Sequence, residues 1–448
     1  ISEKLDSTPT LTVVTVCGCN SVRVQRHERF KKFQTYMTSK QCQADAGGEH
    51  TLARTNSGTL LSAGACGLGW CRSLAMVPSL FGWRTVNIPE PITTVHASYY
   101  HNLAIGNSGK LYSWGCGTFV DGNNDGVIPA LGQGRKDKGG SLSPVHDVHD
   151  IIAISGGAYH SIVLDNQNRV LTFGAGQLGQ LGRSLEHSPS ATKDGAGLPV
   201  DPVPRPVEGD INYKHEHIES IGSGFYNTLV LCRSGALYCA GENQNRQCGS
   251  MGGHNNILKM SRVTEVKDQH IVASEGGYCH TLVLDQNGEV MTLGCGDEGQ
   301  RGDGISEDMY EYIEGGSSSS TCRPLVNQVT LPCRAIGIAA GANHSVVLGE
   351  NGQVFAFGSN EYGQCGLSIS EDEDDNNESS HVLKPVRVML PTDAGRAVSV
   401  SAGYAHTVVR DEHGAVYTFG QNENGQLGLG CVIGIDVEAR HRPTKVLG

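Results

Sequence analysis

The chain has 448 residues, 60 of them glycine, and a formal charge of −12; glycine at about twice its usual share suits many short strands joined by tight turns rather than a helical bundle. No stretch of about 18 apolar residues is present to cross a membrane as a helix, and the opening ISEKLDSTPTLTVVT lacks the basic start and apolar run of a secretory leader. The acidic balance makes the whole chain a poor ligand for a polyanion, so any nucleic-acid contact needs a local basic patch.

In chain order, residues 1–33 read as an N-terminal arm, with LTVVTVCGC at 11–19 as a strand able to join the ring closure. From 34 to 448 one grammar recurs: a Gly-containing loop, a His, an apolar run, a tight turn, a second apolar run ending in Gly, and a loop resembling G-x-N-x-x-G-Q-L-G. Copies lie at 47–69, 97–117, 156–182, 222–249, 276–302, 340–366 and 401–430. Ser57-Gly58, Ser108-Gly109, Ser234-Gly235, Asn287-Gly288, Asn351-Gly352 and His413-Gly414 separate the two apolar runs, and Gly readily takes the positive φ of a tight hairpin. Each copy is therefore a β-hairpin. A lone hairpin is marginal in water, so the copies must pack on one another and close radially. The repeat position is occupied by His50, His101, His160, Asn227, His280, His344 and His406; seven positions predict an all-β, seven-bladed β-propeller. The recurrence of the histidines fits a structural side-chain hydrogen bond better than catalysis. Spans 118–145, 183–215, 303–330 and 367–384 read as inserts. Either the C-terminal strands complete the last blade, or the two chain ends share it.

Several patterns promise more chemistry than they carry. Gly174-x-Gly176-x-x-Gly179 and Gly294-x-Gly296-x-x-Gly299 fit a dinucleotide fingerprint, but each is the closing loop of a repeat and no helical pattern follows. Fifteen cysteines, an odd and scattered set, read as reduced, small buried hydrophobes, as at Cys232, Cys239, Cys279 and Cys295. His146, His149 and Asp150, and His215 with His217, carry donor atoms that suit a metal but precede repeats; they read as structural, and no metal or cofactor is expected. The segment 315–320 and the acidic run Glu371–Asp375 read as solvated loops.

The GG-x-x-HT opening and G-x-N-x-x-GQLG close resemble the repeat of the regulator of chromosome condensation family over residues 42–430. After the second repeat, WGCGTFVDGNNDGVIPALGQGRKDKGG at 114–140 is similar to the insertion from which exchange factors of that family build a β-wedge, with Asp121–Leu131 matching best. The resemblance implies a guanine nucleotide exchange factor for a Ran-like small GTPase, nuclear and monomeric, with nucleosomes or chromatin as a further partner. The wedge would be Asp125, Gly126, Val127, Ile128 and Pro129, and the basic Arg135, Lys136 and Lys138 follow it. In the family two acidic residues linked to exchange lie in the second and third blade loops; this chain has Tyr99 and Tyr159 there. Tyr99, Tyr159, Tyr226, Tyr278 and Tyr404 all fall beside the repeat position. Equivalent loops emerge on one face of a propeller, so these are expected to form an aromatic partner-binding surface. The alternative is a non-catalytic, cytoplasmic scaffold of the same fold.

Overall fold

The computed structural model describes residues 13–14, 43–55, 57–64, 82–115, 129–133, 141–186, 188–193, 197–249, 255–305, 325–367, 380–429 and 439–447. Their strands form seven antiparallel sheets drawn from 43–86, 92–144, 151–206, 218–262, 271–328, 335–388 and 397–447, named here blades 1 to 7. This is a seven-bladed β-propeller. Val13–Val14 adds to blade 1 by pairing with Arg54 and Thr55. Blade 7 takes its four strands, Ala397–Ala402, His406–Asp411, Val416–Gln421 and Ala439–Leu447, from the C-terminal stretch alone.

Blade 6 shows why each repeat folds this way. Its second and third strands, His344–Gly349 and Val354–Ser359, are buried at every residue, because blades on both sides cover them. Gly352, at φ +77°, turns the chain between them, in a region that side chains with a Cβ rarely enter. The outer strand, His381–Val388, is mostly half-buried. Outer strands of this kind lie within or at the end of the four spans that read as inserts: Ser143–Pro144, Pro199–Pro206, Val326–Gln328 and His381–Val388. Their rims face solvent, so they lack the apolar run that marks the inner strands.

The apolar cores lie between blades rather than within them. Leu103 and Leu111 of blade 2 pack on Val163 and Phe173 of blade 3, and Val346 and Ala356 of blade 6 pack on Val409 and Phe419 of blade 7. Among the described residues the seam that closes the ring, between blades 7 and 1, has the smallest core: Ala44, Ala46, Ala53, Val408 and Val416. Three of those five are alanines, and burying a single methyl contributes well under the ~1.5–3 kcal/mol of a larger aliphatic side chain. Polar contacts supplement it. Ser401 donates to Asp45 at 2.9 Å and accepts from the Ala46 N–H at 3.2 Å, so blades 7 and 1 are joined beside the axis.

A second polar tie runs round the ring and uses the repeat histidines. The Nε2 of His101, His160, His280, His344 and His406 lies 2.7–3.1 Å from the hydroxyl of Ser161, Thr228, Ser345, Thr407 and Thr51, each on the following blade. His50 reaches Asn102 Oδ1 at 2.5 Å in the same manner. Each hydroxyl also donates to a closing-loop carbonyl of the preceding blade, as Thr407 does to Gln364 and Thr51 to Gln426. With its hydrogen committed there, the hydroxyl accepts from imidazole Nε2–H, which places the proton of the neutral ring on Nε2.

The cysteines depart from the expectation that all are reduced. Cys239 is bonded to Cys248 and Cys279 to Cys295, whereas Cys232 and Cys365 are free and buried. In blades 3, 5 and 7 the residue equivalent to Cys239 is a threonine, Thr172, Thr292 or Thr418, that hydrogen-bonds the closing loop at Leu181, Arg301 or Leu427. In blade 4 the disulfide takes the place of that hydrogen bond.

The histidine tie has a pH signature. Burial lowers the pKa of His50 to about 4 and of His160, His280, His344 and His406 to about 3, and lowers His101 well below its ordinary value. Between those values and the unfolded value near 6.5, the unfolded chain binds protons that the folded chain refuses. Stability is therefore complete above about pH 6.5 and falls as the pH drops, by up to about 1.4 kcal/mol per pH unit for each histidine. Urea unfolding from pH 7 to 5 is expected to show proton uptake on unfolding approaching six near pH 5, and His344→Asn should reduce that uptake by about one. An unchanged slope in the variant would remove His344 from the acid response.

Candidate protein-binding face

The loop between the inner and second strands of each blade ends at the tie, which fixes its shape. In blade 6 a Cβ on Gly341 would collide with the imidazole of His344, so the residue three before the histidine must be small there. The two positions between differ from blade to blade. They hold Tyr99 and Tyr100 in blade 2, Ala158 and Tyr159 in blade 3, Phe225 and Tyr226 in blade 4, Tyr278 in blade 5 and Tyr404 in blade 7.

These rings meet over the mouth of the propeller axis. Tyr99 meets three rings, with centroids 4.6 Å from Tyr100, 4.3 Å from Phe225 and 5.3 Å from Tyr404, all edge-on. Tyr100 continues to Tyr159 at 5.1 Å, Tyr159 stacks on Tyr226 at 6.3 Å, and Phe225 meets Tyr278 at 4.9 Å. Such separations are those at which aromatic pairs attract. All five tyrosines expected at the face are thus brought together, although not to equal depth. Tyr159 is buried, whereas Tyr278 and Tyr404 are 45 % and 39 % exposed. Phe225 joins the cluster without having been singled out from the sequence. Its signal was its register, two residues before the repeat position like Tyr99, Tyr278 and Tyr404.

Two of the phenols are held more firmly protonated than usual. Burial raises the Tyr99 hydroxyl well above its ordinary value, with Tyr100, Tyr404 and Glu49 adding to the rise; burial, then Tyr278 and Glu242, pushes Tyr226 up to about 12. Beneath the rings lies a cavity of about 70 Å³ lined by inner-strand residues, including His96 and Glu275. Asp45, fully buried, stands 3.4 Å from His96 Nδ1, and its pKa is raised because desolvation outweighs His96 and the surrounding donors. Ser401, Asp45 and His96 do not form a nucleophile triad. The serine hydroxyl donates to the carboxylate and not to the imidazole, so no base is set to take its proton.

Of the wedge residues, Asp125, Gly126, Val127 and Ile128 lie outside the described residues, as do Arg135, Lys136 and Lys138. Pro129–Leu131 forms a 3-10 turn that occupies the place of blade 2's closing loop. The Ala130 carbonyl accepts from Ser161 at 2.7 Å and the Leu131 carbonyl from Ser113 at 2.6 Å. At the other end Gly115 pairs with His101 and a Cβ there would meet the Tyr100 carbonyl. Gly115 and Pro129, the described residues on either side of 116–128, are thus both anchored on blade 2 and its seam with blade 3.

Fold and face together define a propeller of the RCC1 type, with seven repeat-built blades and an aromatic mouth. Sequence comparison agrees: a family described as the regulator of chromosome condensation (RCC1) repeat matches residues 351–410 and 413–448, and a second family of the same description matches 151–180, 218–247, 335–364 and 397–426. The chain thus carries regulator of chromosome condensation repeats in blades 3, 4, 6 and 7. It is 28 % identical to the human regulator of chromosome condensation over 376 residues, 82 % of either chain. It is 25 % identical over 348 residues to the guanine nucleotide exchange factor SRM1 of Saccharomyces cerevisiae, 71 % of this chain and 66 % of that one. The crystal structure of yeast Prp20p, described with its binding to Gsp1p and histones, superposes with a TM-score of 0.65 at 18 % identity, covering 86 % of this chain and 85 % of the other. Other relatives are an ultraviolet-B receptor and E3 ubiquitin-protein ligases, so the fold alone does not name an activity.

The packing separates the central ring from the exposed ones. Phe225→Ala is expected to cost about 2–4 kcal/mol because its ring fills the centre of the cluster, whereas Tyr278→Ser or Tyr404→Ser should cost about 1 kcal/mol or less. Thermal unfolding of the three variants would check this; equal losses would mean that the exposed rings hold the mouth together.

Proposed function

We propose that this chain is a guanine nucleotide exchange factor for a Ran-like small GTPase, acting in the nucleus and recruited there to chromatin. The observation that supports this reading is at the N-terminal flank of the insertion that resembles the family's wedge: Gly115 pairs with His101 and lies against the backbone of Tyr100, a ring of the aromatic mouth. A GTPase docked on that face would meet the rings and the wedge at once. Exchange needs no covalent chemistry. It requires that the partner bind the nucleotide-free GTPase better than the loaded one, so that binding energy lowers the cost of releasing the nucleotide. In this mechanism Val127 and Ile128 press on the phosphate-binding region while the tyrosines hold the GTPase in register. Relatives named as regulators of chromosome condensation and as an exchange factor support it.

A second reading, a non-catalytic scaffold of the same fold, is favoured by one observation. Tyr99 and Tyr159 stand where the family's exchange factors carry acidic residues, and both are packed into the ring cluster. Release of a fluorescent guanine nucleotide from purified Ran separates the two. The expected result is acceleration that Val127→Asp with Ile128→Asp reduces by about ten-fold or more, equivalent to about 1.4 kcal/mol of transition-state binding, with the fold intact by circular dichroism. No acceleration of an active GTPase would leave the scaffold.

A further inference from the structure

Carboxylates crowd the rim of the aromatic mouth. The loops that carry the rings and the closing loops beside them contribute Glu49, Glu242, Glu298, Glu361 and Glu423. Their fields reach the phenols: Glu49 acts on Tyr99, Glu242 on Tyr226, and Glu361 and Glu423 on Tyr362, which also feels Tyr404. Three of these carboxylates have neutral amides as hydrogen-bond partners, namely Gln247 for Glu242, Asn343 for Glu298 and Gln421 for Glu423, at 3.3, 2.7 and 3.3 Å. An amide satisfies a lone pair and leaves the charge in place. Basic residues described in the same loops are Arg246 and Arg301, and Arg301 is buried against Asp303 at 3.2 Å.

The face therefore joins two features that each favour a cation. Neutral aromatic rings attract a guanidinium or ammonium through their π faces and stack on a guanidinium plane. Fixed carboxylates around a partly dry mouth add a field that steers and holds positive charge. Tyr278 and Tyr404 are the rings most open to solvent, and blades 4 to 7, which hold or flank them, supply Glu242, Glu298, Glu361 and Glu423. Aromatic and acidic character thus coincide on one arc of the rim. A polyanion is repelled from this arc, and a purely apolar partner would leave the carboxylates desolvated and unpaired.

We infer that the axis mouth binds an extended basic protein segment, with an arginine or lysine side chain lodged among Tyr99, Tyr278 and Tyr404 and flanked by the carboxylates of blades 4 to 7. The inference rests on the mouth being the partner-binding face and names the chemistry it selects. On the GTPase, that chemistry would be a basic surface loop.

The test uses the full chain and a fluorescein-labelled peptide of alternating arginine and glycine, with the glutamate–glycine peptide as its counterpart. Fluorescence anisotropy at low salt should show saturable binding of the arginine peptide, weakening as salt rises, and none of the glutamate peptide. Glu361→Lys with Glu423→Lys, and separately Tyr278→Ser with Tyr404→Ser, should each weaken binding by about ten-fold. Asp268→Lys with Glu289→Lys, an equal charge change on the hairpin-turn side of blades 4 and 5, controls for overall charge and should leave the affinity within about two-fold. Binding that responds equally to both charge-reversed variants, or ignores the tyrosine pair, would overturn the inference. Nucleotide release from Ran, measured in parallel, keeps the two readings apart. Exchange without peptide binding sinks the cation site alone, and peptide binding without exchange supports the cation site on a scaffold.

Discussion

Everything in this molecule depends on how one flat sheet is made to need the next. A four-stranded antiparallel sheet has two faces, and here the second and third strands of a blade are apolar on both. Neither face can be left to solvent, so a blade is stable only between two others and the set must close on itself. Between these sheets the histidine supplies direction. Its Nε2–H points to a hydroxyl on the following blade, and that hydroxyl points back to a carbonyl of the preceding one. Three groups from two blades satisfy one another, and a misplaced blade would bury them unpaired, at about 1–3 kcal/mol for each group.

The closing seam shows how the terms trade. Sequence-distant blades 7 and 1 must find each other without a covalent neighbour, and their shared core is small. Polar contacts cross it beside the axis: Ser401 donates to Asp45 and accepts from the Ala46 N–H, Thr51 meets both His406 and the Gln426 carbonyl, and Asp45 also receives the Ala97 N–H of blade 2. A buried carboxylate that accepts several donors is costly to desolvate but specific in where it can sit. In blade 4 the accommodation is different. Asn227 replaces the histidine, and its amide lies 3.7 and 3.9 Å from the sulfurs of Cys239 and Cys248. The disulfide there holds the closing loop whose Gln247 carbonyl still accepts from Thr281 of blade 5.

What could be read from the sequence follows from which of these constraints leave a periodic trace. The histidines, the paired glycines and the apolar hairpins recur because every seam imposes them alike, so blade number and fold were legible. Outer strands such as Pro199–Pro206 escaped because a half-buried edge imposes no strict pattern, and four of its eight residues are prolines, which edge strands tolerate. Cys239 and Cys248 looked like scattered small hydrophobes because their spacing carries no motif; only the register, with Cys239 in the place of Thr172, brings them together. Convergence of the tyrosines was legible from that same register. Phe225 shares that register, but as a lone phenylalanine among tyrosines it reads as ordinary core.

The register also explains why the binding face sits where it does. The histidine must reach the next blade, the residue three before it must leave room for the ring, and the strands on either side are committed to the seams. The two residues preceding the histidine are where the blades of this chain differ most in side chain. They emerge on one side, around the axis, and seven blades supply them in pairs. In this chain blades 2 to 5 and 7 use them for aromatic rings, whereas Ala342 and Asn343 of blade 6 leave the cluster open on one side. There the rim is formed instead by closing-loop residues such as Glu298, which Asn343 holds through a hydrogen bond of 2.7 Å. A partner approaching the mouth therefore meets rings from most directions and carboxylates where the rings stop, and that asymmetry lets a symmetric scaffold orient what it binds.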